Sequence, residues 1–119
     1  MVGLREQIGQ IERSMRDFAR ECKAEGDDCG YRPRHIRRCG KILQRLINAL
    51  SKMPAAEEGV ILAEVEKAVV ALNRLNEQTE YALIETDERE SIAAFIREAA
   101  VAYGLRDAED DITEEWREW

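Results

Sequence analysis

The sequence lacks the features that most quickly assign a chain to a functional class. It has a single histidine, no glycine-rich phosphate loop and no serine in a nucleophile-elbow context. It contains no helix-turn-helix, zinc-finger or RNA-binding signature. No internal repeat or low-complexity segment is present. We therefore expect neither an enzyme nor a bound cofactor, and no known family is recognisable from the residues.

Long apolar runs are also missing. Charges interrupt the chain every few residues, and the first residues do not combine a basic end with an apolar segment of signal length. The three cysteines, Cys22, Cys29 and Cys39, are an odd number and do not form a disulfide framework. These absences predict a cytoplasmic protein that makes no membrane contact and keeps its thiols reduced.

What is present is a chain of 119 residues, 45% hydrophobic and 36% charged, with apolar residues at helical spacing. This composition predicts a single folded domain over residues 1–119. We expect an all-α, up-and-down four-helix bundle, because the loops between the periodic segments are short. The helices are expected at about 3–24, 33–53, 55–84 and 87–103, followed by a short amphipathic C-terminal helix.

Two of these helices have informative details. The third is apolar on many sides between Val60 and Leu75, which predicts the central helix of the bundle. Asn76 and Thr79 then interrupt its pattern; either the helix emerges from the core there or these side chains find buried partners, and emergence is the favoured interpretation. In the fourth helix Asp87 is the predicted N-terminal cap, with Glu90 at the capping-box spacing.

The first helix and the C-terminal tail carry narrow apolar stripes. Steps of four and three in both segments are typical of helices that pack in coiled-coil fashion. We favour docking of the tryptophan-bearing tail on its own bundle, and binding of this tail to another chain is the alternative. The candidate interface residues are Leu4, Ile8, Ile11, Met15, Phe18, Ile112, Trp116 and Trp119. The leading functional hypothesis is a small interaction or scaffold module that forms a homo-oligomer, such as a dimer, or binds a partner protein.

A basic stripe on the second helix gives a rival hypothesis. Residues 29–56 contain no Asp or Glu, whereas residues 54–119 carry eighteen carboxylates. At about 100° per residue, four cations share one narrow sector as candidate anion- or partner-binding residues: Arg34, Arg38, Lys41 and Arg45. Such a stripe suits nucleic acid, another phosphate ligand or an acidic protein surface. A solvated charged face is the favoured interpretation, since the stripe lacks interleaved aromatics and the net charge of −7 repels a polyanion.

Two clusters raise the question of a metal site. Cys22, Cys29, His35 and Cys39 have the composition of a tetrahedral zinc set but lack a short C-x2-C knuckle. Cys22 and Cys39 also fit apolar helix faces, where a free cysteine acts as a small hydrophobe. Three carboxylates near the end of the third helix, Glu77, Glu80 and Glu85, fit a solvated face better than a metal centre, because no Glu-x-x-His motif accompanies them.

Overall fold

A computed structural model describes residues 3–53, 57–106 and 108–119 of the chain. Within these ranges the protein contains four α-helices and no β-strand: α1 (Leu4–Ala24), α2 (Pro33–Ser51), α3 (Glu58–Gln78) and α4 (Thr86–Ala102). The predicted all-helical fold is therefore confirmed. The predicted break at Pro54 and helix start at Ala55 lie outside the described residues.

The helices form where apolar residues recur on one side. In α2, Pro33 occupies the first turn, where its missing N–H costs no helical hydrogen bond. The imidazole of His35 helps to cap the N-terminus of α2, because its Nδ1 accepts a hydrogen bond from the backbone N–H of Arg32 at 2.9 Å. The side of α2 opposite the basic stripe is buried: Ile36, Cys39, Leu43, Leu46, Ile47 and Leu50.

Helix packing places α1 between α2 and α4, while α2 packs against α3. The Tyr31 hydroxyl donates to the carbonyl oxygen of Met15 at 3.0 Å and fastens the α1–α2 connection to α1. Farther along the same interface the Glu12 side chain lies over Gly40, where a Cβ atom would approach Glu12 Oε2 to 2.6 Å. The contacts are those of a helical bundle, and the up-and-down order of its helices stays a prediction.

The third helix ends at Gln78, six residues before the predicted end at 84, because the chain reverses there. Glu80 and Tyr81 adopt positive φ angles of 54° and 68°, which a right-handed helix does not allow. Asn76 and Thr79 are 2% and 4% exposed, so the prediction that they leave the core is wrong. Both side chains bind backbone groups of the α3–α4 connection instead.

The start of α4 also differs from its prediction. Glu85, rather than Asp87, is the residue that precedes the first helical turn, and its backbone N–H donates to Glu88 Oε1 at 3.3 Å. Asp87 lies within the first turn, where the helix dipole still favours its charge. At the other end Gly104 has φ 120°, so it takes the non-helical conformation expected after a helix C-terminus.

The tail after α4 packs on the bundle as a run of turns around residues 112–116, rather than as the predicted short helix. Asn73 of α3 anchors it from both sides: its Nδ2 donates to the carbonyl oxygen of Trp116 at 2.9 Å, and its Oδ1 accepts from the N–H of Glu118 at 3.0 Å. Trp119 is 9% exposed and belongs to the core. Across the described ranges, no helix is long and apolar enough to cross a membrane.

Candidate functional site: a groove between α1 and α4

Most of the predicted interface residues are already packed within the chain. Ile8, Ile11 and Met15 are at most 6% exposed and face the core of the bundle. Leu4, Ile112 and Trp116 are half-buried against that core. Phe18, at 39%, is the member of the set that remains well exposed. The apolar residues of α1 therefore pack mainly within this bundle. A partner can reach only the outer edge of this seam, at Leu4 and Phe18.

That outer edge borders an open groove of about 770 Å³ between α1 and α4. Its apolar lining comes from Leu4 and Ile11 of α1 and from Val101 and Ala102 of α4. Val101 is 45% exposed and borders the groove. Polar and charged side chains complete the lining: Gln7, Gln10, Ser14, Glu88, Ser91, Arg97 and Glu98.

A second hollow of about 380 Å³ continues the groove toward the other end of α1. The two share Gln10, Ser14 and Glu88, so they form one surface feature, called here the α1/α4 groove. The second hollow adds Phe18, and it brings in further charged residues: Arg13, Asp17, Glu21 and Asp87. Leu4, Ile11 and Phe18 thus recur every seven residues along one wall of the groove.

The walls of the groove are held in place by hydrogen bonds. Gln7 Nε2 donates to Glu98 Oε2 at 2.6 Å and joins α1 to α4, and both side chains line the groove. The guanidinium of Arg97 points to the tail, where its Nε donates to the carbonyl oxygen of Glu109 at 2.9 Å and its Nη2 to that of Ala108 at 3.3 Å. Burial raises the pKa of the Glu88 carboxyl above its usual range, against hydrogen bonds from the backbone that lower it.

The tail that Arg97 contacts has its own internal network. Arg117 forms an ion pair with Asp111, with 3.0 Å between Nη2 and Oδ2, and lies 5.5 Å from the centroid of the Trp119 ring. Asp111 also accepts hydrogen bonds from the backbone N–H and the hydroxyl of Thr113. These contacts occupy Trp119 within its own chain, and they leave it unsuited as a free anchor for a partner.

The basic stripe of α2 lies on the surface. Arg34, Arg38, Lys41 and Arg45 are all exposed, and the side chain of Arg38 donates to Gln78 Oε1 at 3.1 Å. The ion pairs found within the described residues involve other cations, namely Arg20, Arg32, Lys67 and Arg117. The carboxylates of the second half therefore do not neutralise the stripe by direct pairing within that part of the chain.

The candidate zinc set is not assembled. No three His, Cys, Asp or Glu side chains in the described ranges are placed to share a metal ion. Cys39 is fully buried, and burial raises the pKa of its thiol to about 12. The Cys29 thiol donates to the carbonyl oxygen of Tyr31 at 3.2 Å, and His35 Nδ1 is occupied at the start of α2. Glu77, Glu80 and Glu85 are exposed, in keeping with a solvated face.

Sequence reasoning found one wall of the groove and missed the other. Leu4, Ile11 and Phe18 belong to the predicted seam, whereas Val101 and Glu98 were not singled out. A signal for Val101 was present, because it lies outside the apolar stripe of α4 formed by Ile92, Phe95, Ile96, Ala99 and Ala100, which are all buried. Single exposed apolar residues are common on protein surfaces, so Val101 becomes informative only beside the groove that the tertiary structure places next to it.

Comparison with known proteins adds a family but no function. No curated protein and no solved structure matches the chain. Residues 21–119 match a family described as a family of unknown function, DUF5713. That match spans the last turn of α1, the other three helices and the tail. Because it covers well over half of the sequence, the chain belongs to this family of unknown function.

Proposed function

We propose that this protein is a small helical interaction module that binds a helical segment of another polypeptide in the α1/α4 groove. The observation that carries the proposal is the open groove of about 770 Å³ with Leu4, Ile11 and the exposed Val101 in its lining. A groove between two helices that combines apolar and polar side chains is a known kind of receptor for an amphipathic helix.

The proposal retains the interaction module expected from the sequence and moves its contact surface. Binding through Ile8 or Met15 would require the bundle to open, because both are buried in its core. Binding at the groove requires no such opening, since Leu4, Phe18 and Val101 already border solvent. The cost of reorganisation is therefore small for the groove and large for the seam.

Site-specific photo-crosslinking tests this proposal. A photoreactive phenylalanine analogue would replace Val101, and a matched protein would carry it at Val60 of α3, which is equally exposed at 44% and does not line the groove. Both proteins would be expressed in the native cells and irradiated. We expect one dominant adduct from position 101, either with a second copy or with another protein, and none of that adduct from position 60.

The same adduct from both positions, or no adduct from position 101, would contradict the proposal. Circular dichroism of the two proteins controls for folding, since both sites are exposed and should accept the analogue. A Val101→Glu protein should bind the partner poorly, because the change places a charge among the apolar residues that line the groove, while Val60→Glu should bind it like the wild type.

The unpaired basic stripe supports a second candidate, binding of an anionic ligand by α2. Exposed cations without ion-pair partners release counterions when they meet phosphates, so their binding weakens steeply with salt. The stripe qualifies because Arg34, Arg38, Lys41 and Arg45 are exposed and take part in none of the ion pairs found among the described residues.

Fluorescence anisotropy with a short labelled DNA duplex tests this second candidate. Binding at 50 mM salt that disappears at 200 mM, and is abolished by Arg38→Glu with Arg45→Glu, would support it. The control carries Arg13→Glu with Arg106→Glu, which makes the same change in net charge away from the stripe. Equal losses in both proteins, or no binding by the wild type at 50 mM, would exclude the stripe as a nucleic-acid site.

A further inference from the structure

We infer that the occupant of the α1/α4 groove is a basic amphipathic helix of a partner protein, about five turns long. This inference rests on the proposed function and specifies the chemistry of its ligand. It follows from three properties of the groove, which are its apolar repeat, its length and the charge of its rim.

The apolar wall dictates the spacing of the partner's residues. Leu4, Ile11 and Phe18 are seven residues apart, which is about 10.5 Å or two helical turns. A helix whose apolar side chains recur with the same heptad spacing can pack against Leu4 and Phe18, with Ile11, only 6% exposed, forming the stretch of wall between them. The groove follows α1 from Gly3 to Glu21, about 27 Å at 1.5 Å per residue. That length accommodates a helix of about 18 residues.

The rim determines the charge of the partner. Five carboxylates border the groove, whereas its cations are two arginines: Asp17, Glu21, Asp87, Glu88 and Glu98 against Arg13 and Arg97. The guanidinium of Arg97 keeps its charge but is directed toward the tail by hydrogen bonds to carbonyl oxygens, and Asp17 pairs with Arg20 at 3.4 Å on the exposed surface. Four other carboxylates then face two arginines. The remaining charge favours Lys and Arg beside the partner's apolar stripe and repels an acidic helix.

A second copy of this chain fits the groove less well. Its basic helix, α2, exposes Arg34, Arg38 and Arg45, but the apolar residues on the opposite side are buried in the core. The exposed face of α2 is basic but has no apolar residues to enter the groove. Its apolar face is buried in the folded bundle and cannot reach the groove. The acidic lining of the groove also repels the matching acidic lining of a second copy, so a basic helix of another polypeptide fits it better.

A pair of designed peptides tests the inference. Both would have 18 residues and the same leucines at heptad spacing, with lysine and arginine at the flanking positions of one and glutamate at those of the other. Each would carry a fluorophore, and binding would be followed by anisotropy at 100 mM salt. We expect the basic peptide to bind at least tenfold more tightly than its acidic counterpart and to gain helical circular dichroism when it binds.

Charge reversal locates the binding on the protein. Glu21→Lys with Glu98→Lys changes both ends of the groove, and we expect it to weaken the basic peptide at least tenfold and to strengthen the acidic one. Glu66→Lys with Glu77→Lys is the matched control, because these glutamates are exposed on α3 outside the groove. Each Glu→Lys substitution adds two units of positive charge, so the two double variants have the same net charge. The control should bind the basic peptide within a factor of two of the wild type.

The outcomes separate this inference from the proposed function. Equal binding of both peptides, lost in Val101→Ser but not in Val60→Ser, would overturn the basic-helix inference and leave the groove as a binding site. If the Glu21/Glu98 and Glu66/Glu77 variants lose affinity for the basic peptide equally, the binding reflects general charge attraction rather than the groove. That result would also overturn the basic-helix inference. A groove-dependent dimer in native mass spectrometry would identify a second copy as the occupant. No peptide binding together with no crosslink from position 101 would remove both proposals.

Discussion

The backbone N–H of Ile84 donates a hydrogen bond of 2.9 Å to the side-chain oxygen of Asn76, eight residues earlier in the chain. Both residues are almost fully buried, at 4% and 2% exposure. Together with Thr79, whose hydroxyl donates to the Asn76 carbonyl and accepts from the Leu83 N–H, this amide ends α3 and directs the chain into α4. It thereby fixes where α4, one wall of the groove, begins.

Replacement of Asn76 by alanine should lower the free energy of unfolding by about 1–3 kcal/mol, because it leaves the buried N–H of Ile84 without its acceptor. Asn48→Ala is the control, since Asn48 is exposed and its side-chain oxygen accepts from Gln44 Nε2, one helical turn earlier, at 3.0 Å. It should change stability by less than about 0.5 kcal/mol. Urea unfolding followed by circular dichroism measures both, and equal losses would contradict the role assigned to Asn76.

Asn73→Ala should release the tail from α3, because the change removes the hydrogen bonds to Trp116 and Glu118. The only two tryptophans of the chain, Trp116 and Trp119, lie in this tail, so their fluorescence reports its docking. We expect a red-shifted emission maximum and stronger quenching by iodide, with helical circular dichroism retained. Unchanged quenching would show that apolar packing and the Arg97 hydrogen bonds to Ala108 and Glu109 hold the tail without Asn73.

The protein should lose stability as the pH falls below about 6.5, in part through His35. Burial, and then the charges of Arg34, Arg38 and Arg32, lower the pKa of this imidazole below its ordinary value of 6.5. As the pH falls, His35 therefore binds its proton at a higher pH in the unfolded chain than in the folded protein. Protonation favours unfolding from about pH 6.5 down to the lower pKa of the folded state. The same proton would also displace the hydrogen bond that Nδ1 accepts from Arg32.

Unfolding of the wild type and of His35→Gln at pH 7.5 and pH 5.5 measures this contribution, since other titrating groups cancel in the difference between the two proteins. The stability advantage of the wild type should shrink at pH 5.5. A direct titration of the imidazole by NMR should give a pKa below 6.5. A titration above that value would contradict the role assigned to His35, because burial of the imidazole and the neighbouring arginine charges both disfavour its protonated form.

Gly30→Ala should be more destabilising than Gly26→Ala, although both glycines have positive φ angles, 92° and 84°. A Cβ at position 30 would lie 2.7 Å from the Cβ of Ala82, whereas one at position 26 meets nothing within 4 Å. The Gly26 change carries only the backbone cost of about 1–2 kcal/mol. Gly30 should cost about 1–3 kcal/mol more because two connections must separate. Thermal unfolding of the two variants checks the order.

The sequence predicted the helices well because the information that specifies them is local. Apolar spacing set the buried faces of α1 and α2, Pro33 marked the start of α2, and Gly104 marked the end of α4. The predictions failed where a residue's partner is distant along the chain. Asn76 looked like a polar residue leaving the core, because its acceptor role depends on a turn that brings Ile84 back to it.

The candidate site divides in the same way. The heptad of Leu4, Ile11 and Phe18 is readable from spacing alone, and so is the basic stripe of α2. The sequence by itself thus determined an all-helical chain with one apolar seam on α1 and opposite charges in its two halves. Only the tertiary structure decided which parts of that seam are buried and that the Cys/His set stays apart. It also placed Val101 and Glu98 across from α1, since a groove is the space left between two packed helices and depends on the position of both.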